Sequence, residues 1–202
     1  MEGDYSTYVI ILIDGWAKVT GATEDGGQAL LALRSSGDLV GEQAALENQP
    51  RSASVISAGA SLGRRVGQGD FLRLLAAYPD IGIAVTRALS AKLRWATRRR
   101  IDFSGLAVPI RLARVLCELA RLDSKRTAAG IVIGYSLTQP ELAAMVGASE
   151  PSVHRTLRQL RADGVVDTGY RRITIRDPAA LDVIAGSAWT GGPLAARPDP
   201  IT

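Results

Sequence analysis

Cysteine occurs once in the 202-residue chain, at Cys117, and histidine once, at His154. One thiol cannot form an intramolecular disulfide, and it cannot supply a thiolate cluster for zinc or an iron–sulfur centre. A single imidazole cannot be half of a His-based metal site. Long hydrophobic runs are also missing: none approaches the roughly 18–20 residues needed to span a bilayer. The start of the chain lacks the charged-then-apolar pattern of a signal peptide. No membrane partner and a reducing, bacterial cytoplasm are the expectations. The acids are scattered, and no Cys–His or Ser–His–Asp set stands out. An enzyme is therefore not expected.

What is present is a core and an uneven charge. Hydrophobic residues make up 47% of the chain. Residues 1–93 carry 8 Lys/Arg against 10 Asp/Glu, and residues 94–176 carry 15 against 7. The excess of cations in the second half suggests that it meets a polyanion. A solvated, Arg-rich surface is the alternative reading of the same numbers.

Hydrophobic periodicity divides the chain into an α+β arrangement. Up to about residue 67 the pattern is β. Tyr8–Ile13 is an apolar run closed by Asp14-Gly15, a hairpin signal, and Trp16–Thr20 alternates. Ala29–Leu33, Arg51–Ala58 and Ser61–Val66 are further strand candidates. Turns about every ten residues point to a sandwich or small barrel, a jelly-roll-like β-roll. From Asp70 the period becomes helical, and Pro79 opens a long helix reaching about Phe103. Val85, Leu89, Leu93, Ala96 and Phe103 form its apolar stripe. At about 37 Å such a helix is too long for a small domain to cover, so pairing with its own copy is favoured over packing along its β-domain. Ser104-Gly105 is the expected domain break. The expected division is a β-roll over 1–78, a dimerisation helix over 79–104, a DNA-binding domain over 105–185 and a disordered tail over 186–202. Within the third part, Leu112, Val115, Leu116 and Leu119 give one helix an apolar face, 123–130 reads as a polar loop, and Ile131–Ile133 as a short strand.

The stretch Thr138–Gly164 carries the clearest signal. Thr138 and Glu141 make a capping box, with Pro140 in the first turn. Leu142 and Val146 face inward, and Gly147 can take the positive φ that ends the helix. Ser149 then caps a second helix whose inner stripe is Val153, Leu157 and Leu160. Its outer side presents Glu150, Pro151, His154, Arg155 and Arg158. This is helix-turn-helix grammar, although an ordinary αα-hairpin uses similar residues. A hairpin from Val165 to Ile175 would add a wing. In a major groove, Arg155 suits guanine O6 and N7, and Glu150 suits cytosine N4. Thr138, Gln139, Ser149 and Ser152 sit where phosphates pass, His154 has a surface or phosphate-contacting role, and Arg171 and Arg172 in the wing can neutralise phosphates.

A second constellation runs from Gly37 to Val55. Gly41-Glu42 at a strand end is followed ten residues on by Arg51-Ser52. A guanidinium, a hydroxyl and backbone amides there suit a phosphate, and the Glu42 carboxylate suits a ribose hydroxyl. Arg51 pairing with a surface acid is the alternative.

In this order the β-roll, the Gly-Glu to Arg-Ser cassette, the long helix and the winged helix-turn-helix resemble the Crp/Fnr transcription factors over about residues 2–184. The resemblance implies that Gly41, Glu42, Arg51 and Ser52 lie where a cyclic nucleotide's ribose and phosphate sit, with Thr97 near the base. It implies a homodimer through the long helix and base reading by Glu150, Pro151 and Arg155. Departures accompany it. The chain begins at a point resembling the middle of the family's β-roll, which implies a roll short of strands with an exposed edge. Ala96-Thr97 replaces a Thr-Ser pair, so one of two hydroxyls is lost. Glu150-Pro151 replaces Arg-Glu at the start of the recognition helix, which implies a different operator. The N-terminal cysteines of oxygen-sensing members are absent. The expected function is a dimeric, sequence-specific DNA-binding regulator, with cyclic nucleotide (cyclic AMP) as its effector and no required cofactor. The implied partners are a palindromic DNA duplex, a second copy and RNA polymerase. An effector-independent DNA binder with a degenerate pocket, or a nucleotide-binding interaction module, are the alternatives.

Overall fold

The computed structural model describes residues 1–24, 26–170 and 172–186. The chain forms two compact units, Met1–Arg100 and Ile101–Thr202. Arg171 of the wing and residues 187–202, the greater part of the expected disordered tail, lie outside the described residues.

Six strands build the first unit: β1 (Tyr8–Asp14), β2 (Trp16–Ala22), β3 (Gln28–Ser35), β4 (Leu39–Val40), β5 (Ser54–Ser57) and β6 (Leu62–Gly67). They form two antiparallel sheets, ordered β4-β1-β6 and β3-β2-β5. The expected hairpin at Asp14-Gly15 is therefore not one, because β1 and β2 belong to different sheets. Only Gly15 separates them, too little for the two-residue loop of a tight hairpin, so the chain switches sheet there. Gly15 adopts φ +76, and a Cβ on it would fall 2.5 Å from the Ala60 carbonyl oxygen. Val9 and Leu12 of β1, Ala17 of β2 and Leu30, Ala32 and Leu33 of β3 are buried. Between Val19 and Thr20 the register with β3 slips by one residue, which leaves Leu31 bulged and exposed.

Helix α1 (Glu42–Glu47) follows β4, and α2 (Gln68–Ala77) follows β6. Phe71 of α2 packs with Val9 and Ala45, against Val66, Leu75 and Val85. The strand expected from Arg51 starts only at Ser54, because Arg51 is turned back toward α1. Helix α3 (Pro79–Gly105) has 27 residues, of which only Asp102 is buried. Several of its apolar side chains remain in the open: Ile83, Leu93 and Ile101 are at least half exposed. No helix among the described residues is long and apolar enough to cross a membrane.

The second unit contains α4 (Val108–Leu122), β7 (Ser124–Thr127), β8 (Gly130–Ile133), α5 (Gln139–Val146), α6 (Glu150–Ala162), β9 (Val166–Gly169), β10 (Arg172–Ile175) and α7 (Pro178–Ala185). The strands form one antiparallel sheet ordered β7-β8-β10-β9. Residues 123–130, expected as a loop, thus include an edge strand. Ser-Lys-Arg-Thr pairs with β8 through its backbone and has no apolar residue, so hydropathy carries no trace of it, and edge strands favour such charged residues. Leu112, Leu116 and Leu119 of α4, Leu142 and Val146 of α5, and Val153, Leu157 and Leu160 of α6 are buried, with Ile175 and Leu181.

One buried ion pair ties the ends of this unit together. Arg114 Nη1 donates to Asp102 Oδ1 at 2.6 Å, and its Nε donates to the Ala185 carbonyl at 2.8 Å. The last turn of α3, the middle of α4 and the end of α7 therefore converge on one guanidinium. Removing one partner of a buried pair strands the other charge, at a cost of about 3–5 kcal/mol. Asp102→Ala should lower the stability of the second unit by about that amount in urea titration. A loss within experimental error would show that Arg114 reaches water instead. Cys117 lies in the same core, its Sγ 3.6 Å from Asp182 Oδ1. Burial, reinforced by the Asp182 charge, pushes its thiol up to about 12. The thiolate is the reactive form, so native protein at pH 8 should leave a disulfide reagent almost unconsumed, with one equivalent reacting after denaturation.

Candidate nucleic-acid interface and ligand cavity

Helix α5 is capped at its start and meets α6 at a turn centred on Gly147. The capping box is complete: Thr138 Oγ1 accepts from the Glu141 amide at 3.4 Å, and Glu141 Oε2 accepts from the Thr138 amide at 2.8 Å. Gly147 ends α5 at φ +64, and the Ala148 amide reaches back to the Ala143 carbonyl at 3.1 Å. A Cβ on Gly147 would fall 2.7 Å from the Phe103 ring. Arg111 lies over that ring, 5.7 Å from its centroid, and donates to the Gly147 carbonyl at 3.0 Å. Phe103 and Arg111 thus clamp the turn. Sequence reasoning assigned Phe103 to the α3 stripe and gave Arg111 no role.

Ser149 stands at the N-terminus of α6 but does not cap it with its side chain. Its hydroxyl is 2.9 Å from the Ser152 hydroxyl instead, and its carbonyl accepts from the Ser152 and Val153 amides. Beyond that turn, the buried stripe of α6 leaves Glu150, Pro151, His154, Arg155 and Arg158 exposed on its other side. Steps of three and four place these residues on one surface. Elsewhere in the unit cations are paired: Arg176 with Asp167 at 3.0 Å and Arg161 with Asp167 at 3.6 Å. The Arg176 hydrogen bond, followed by the Thr168 amide, holds the Asp167 carboxyl below the ordinary carboxylate range. Arg155 and Arg158 have no ion pair among the described residues. Gln139 is exposed at the start of α5, and Arg172 is exposed on β10.

The first unit holds a cavity of about 500 Å³, which includes Gly41, Glu42, Arg51 and Ser52 in its lining. Gly41 takes φ +82, and a Cβ there would lie 1.9 Å from Arg51 Nη1. Nη1 donates to the Gly41 carbonyl at 2.7 Å, Nη2 donates to the Tyr8 carbonyl, and the guanidinium lies over the Tyr8 ring. Arg51 is therefore fixed by carbonyls rather than by a surface acid. Glu42 is only 5% exposed. Lys92 of α3 offsets its charge, with Nζ 2.6 Å from Glu42 Oε1 and also 2.6 Å from the Leu39 carbonyl. Neither Lys92 nor Tyr8 was anticipated; Lys92 lies outside the apolar stripe, which is why pattern reading passed over it. Thr97 is exposed and is not part of the cavity wall, whereas its neighbour Ala96 is. Among the described residues no group of three or more His, Cys, Asp or Glu could hold a metal.

A β-roll with a charged cavity and a separate unit bearing an outward arginine helix define a ligand-binding-domain plus helix-turn-helix protein. Residues 1–78 match the cyclic nucleotide-binding domain model, and residues 110–184 match that of the Crp-like helix-turn-helix domain. Among curated proteins, the chain is 26% identical over 180 residues to the CRP-like cAMP-activated global transcriptional regulator of Mycobacterium tuberculosis, covering 89% of this chain and 80% of that one. It is 27% identical over 184 residues to the cyclic AMP receptor protein of Thermus thermophilus, covering 91% and 82%. A solved CRP-family transcriptional regulator from the latter organism shares the fold with a TM-score of 0.77 at 24% identity, covering 95% and 94%. The chain belongs to the Crp/Fnr family of transcription regulators.

The clamp at Gly147 has a measurable consequence. Gly147→Ala forces a side chain into the left-handed region and against Phe103, and should cost about 1–2 kcal/mol. Phe103→Ala should recover part of that loss, so the double-mutant cycle will be less than additive. Strict additivity would mean that the ring does not constrain the turn.

Proposed function

We propose that the protein is a homodimer that reads a palindromic DNA site with α6 and is controlled by a cyclic nucleotide held in the β-roll cavity. The observation that carries the DNA reading is the pair Arg155 and Arg158, exposed on one helix face while neighbouring arginines are paired. A guanidinium without an internal partner keeps its fork of donors for a base edge or a phosphate. Arg155 contacts guanine, Glu150 accepts from cytosine, and Pro151 contributes shape. Arg158, His154, Gln139, Ser149, Ser152 and Thr138 lie along the phosphates, with Arg172 in the wing. The α3 stripe, exposed in the single chain, pairs with that of a second copy and sets two recognition helices about 34 Å apart.

The effector reading rests on the chemistry of the cavity. Arg51 and Ser52 suit a cyclic phosphate, and Glu42, oriented by Lys92, suits a ribose hydroxyl. Thr97 contributes near the base once two copies pair. Relatives named as cAMP-activated make cyclic AMP the first ligand to test. Leu89, Leu93 and Ala96 belong both to the cavity wall and to the pairing stripe, so a ligand that shifts them alters how two copies meet. RNA polymerase is the further partner in this reading, the bacterial cytoplasm is the setting, and no catalytic step is involved.

The test is selection of a preferred duplex from random sequences, followed by binding titrations with and without cyclic AMP. Affinity should fall steeply as salt rises, because phosphate contacts release counterions. Arg155→Ala should cost about 1–3 kcal/mol on the selected site and relax preference at one position per half-site. An unchanged preference would place base reading elsewhere on the unit.

A further inference from the structure

Apart from Lys92, the α3 side of the cavity is chemically unlike its phosphate side. Glu42, Arg51, Ser52 and Lys92 are polar or charged, whereas Leu89, Leu93, Trp95 and Ala96 offer no hydroxyl. Trp95 follows Lys92 by three residues, less than one helical turn, and so extends the wall that Lys92 anchors to Glu42. The Arg99 guanidinium lies over the indole, 4.7 Å from the ring centroid. That contact holds a large side chain in one orientation on an otherwise exposed helix. Trp95 is also off the Val85, Leu89, Leu93, Ala96 stripe, so helix pairing does not claim it.

We infer that Trp95 is a specificity-determining residue of this cavity, the surface on which the ligand's flat heteroaromatic base stacks. The inference rests on the reading of the cavity as a cyclic-nucleotide site and adds how the base is chosen. At Ala96 there is a methyl group and no donor or acceptor. A wall that hydrogen-bonds a base rejects the wrong one strongly, because its buried polar groups are left unpaired. A stacking wall tolerates any base, because every base has a π-face. The ligand class is therefore purine 3′,5′-cyclic monophosphates taken together, held at the phosphate and ribose by Arg51 and Glu42 and poorly discriminated at the base.

Calorimetric titration of the full chain with cyclic AMP and cyclic GMP tests this, using the unaltered protein, Trp95→Ala and Trp95→Phe. The two nucleotides should bind the unaltered protein with dissociation constants within about tenfold of each other. Trp95→Ala should weaken both by about tenfold or more, while Trp95→Phe, which keeps an aromatic face, should stay close to the unaltered protein. Tryptophan emission should shift on saturation of the unaltered protein and lose that shift in Trp95→Phe, a signature that stands even where Trp95→Ala does not fold. Binding that survives Trp95→Ala unchanged, or that favours one nucleotide by about a hundredfold or more in the unaltered protein, overturns the stacking role and leaves the cyclic-nucleotide reading standing. Absence of binding by both nucleotides to the unaltered protein overturns that reading and this inference with it.

Discussion

The left-handed backbone at Gly147 is the constraint on which the DNA-binding unit depends. It lets α5 stop and α6 depart within the three residues 147–149. The crossing of the two helices then decides which side of α6 is buried and which is offered outward. Phe103 covers the site where a Cβ would project, and Arg111 takes up the carbonyl that the turn leaves without a helical partner. Arg114 fastens the same short segment of α3 to α4 and to the end of α7. The arginines of α6 project from a frame held at both ends, so less conformational entropy is lost on docking than from a loop.

In the β-roll, polar satisfaction sets the design. A buried carboxylate and a guanidinium face one cavity, and each is held by the protein itself: Glu42 by Lys92, Arg51 by two carbonyls. Charges arranged in this way are oriented before any ligand arrives. The same contacts impose a competition, since a ligand's polar groups must share these partners or displace them.

Local chemistry made much of this legible before any coordinates. The capping box, Gly147 and the inner stripe of α6 were readable because each obeys a short-range rule within one or two helical turns. The long helix, the wing and the Gly41 to Ser52 cassette were readable from period, turn residues and spacing. What escaped depended on distant partners. Strand β7 has no apolar residue to betray it. The switch of sheet at Gly15 looks locally like a hairpin. The Ser149 hydroxyl chose Ser152 over the helix amides, and Thr97 proved to lie outside the cavity wall. The roles of Lys92, Tyr8, Phe103, Arg111 and Arg114 each need a contact with another element, which spacing along the chain cannot display.

The approach of Arg51 to Gly41 has an evolutionary side. While the guanidinium occupies the space above residue 41, no side chain can be accepted there, and the two positions are bound into one heritable unit. A lineage that ceased to need the ligand would first be free to lose the arginine, and only then the glycine. Descendants retaining a glycine opposite a vacated position 51 would mark the intermediate stage of that decay, and the order of loss would be readable in their genomes.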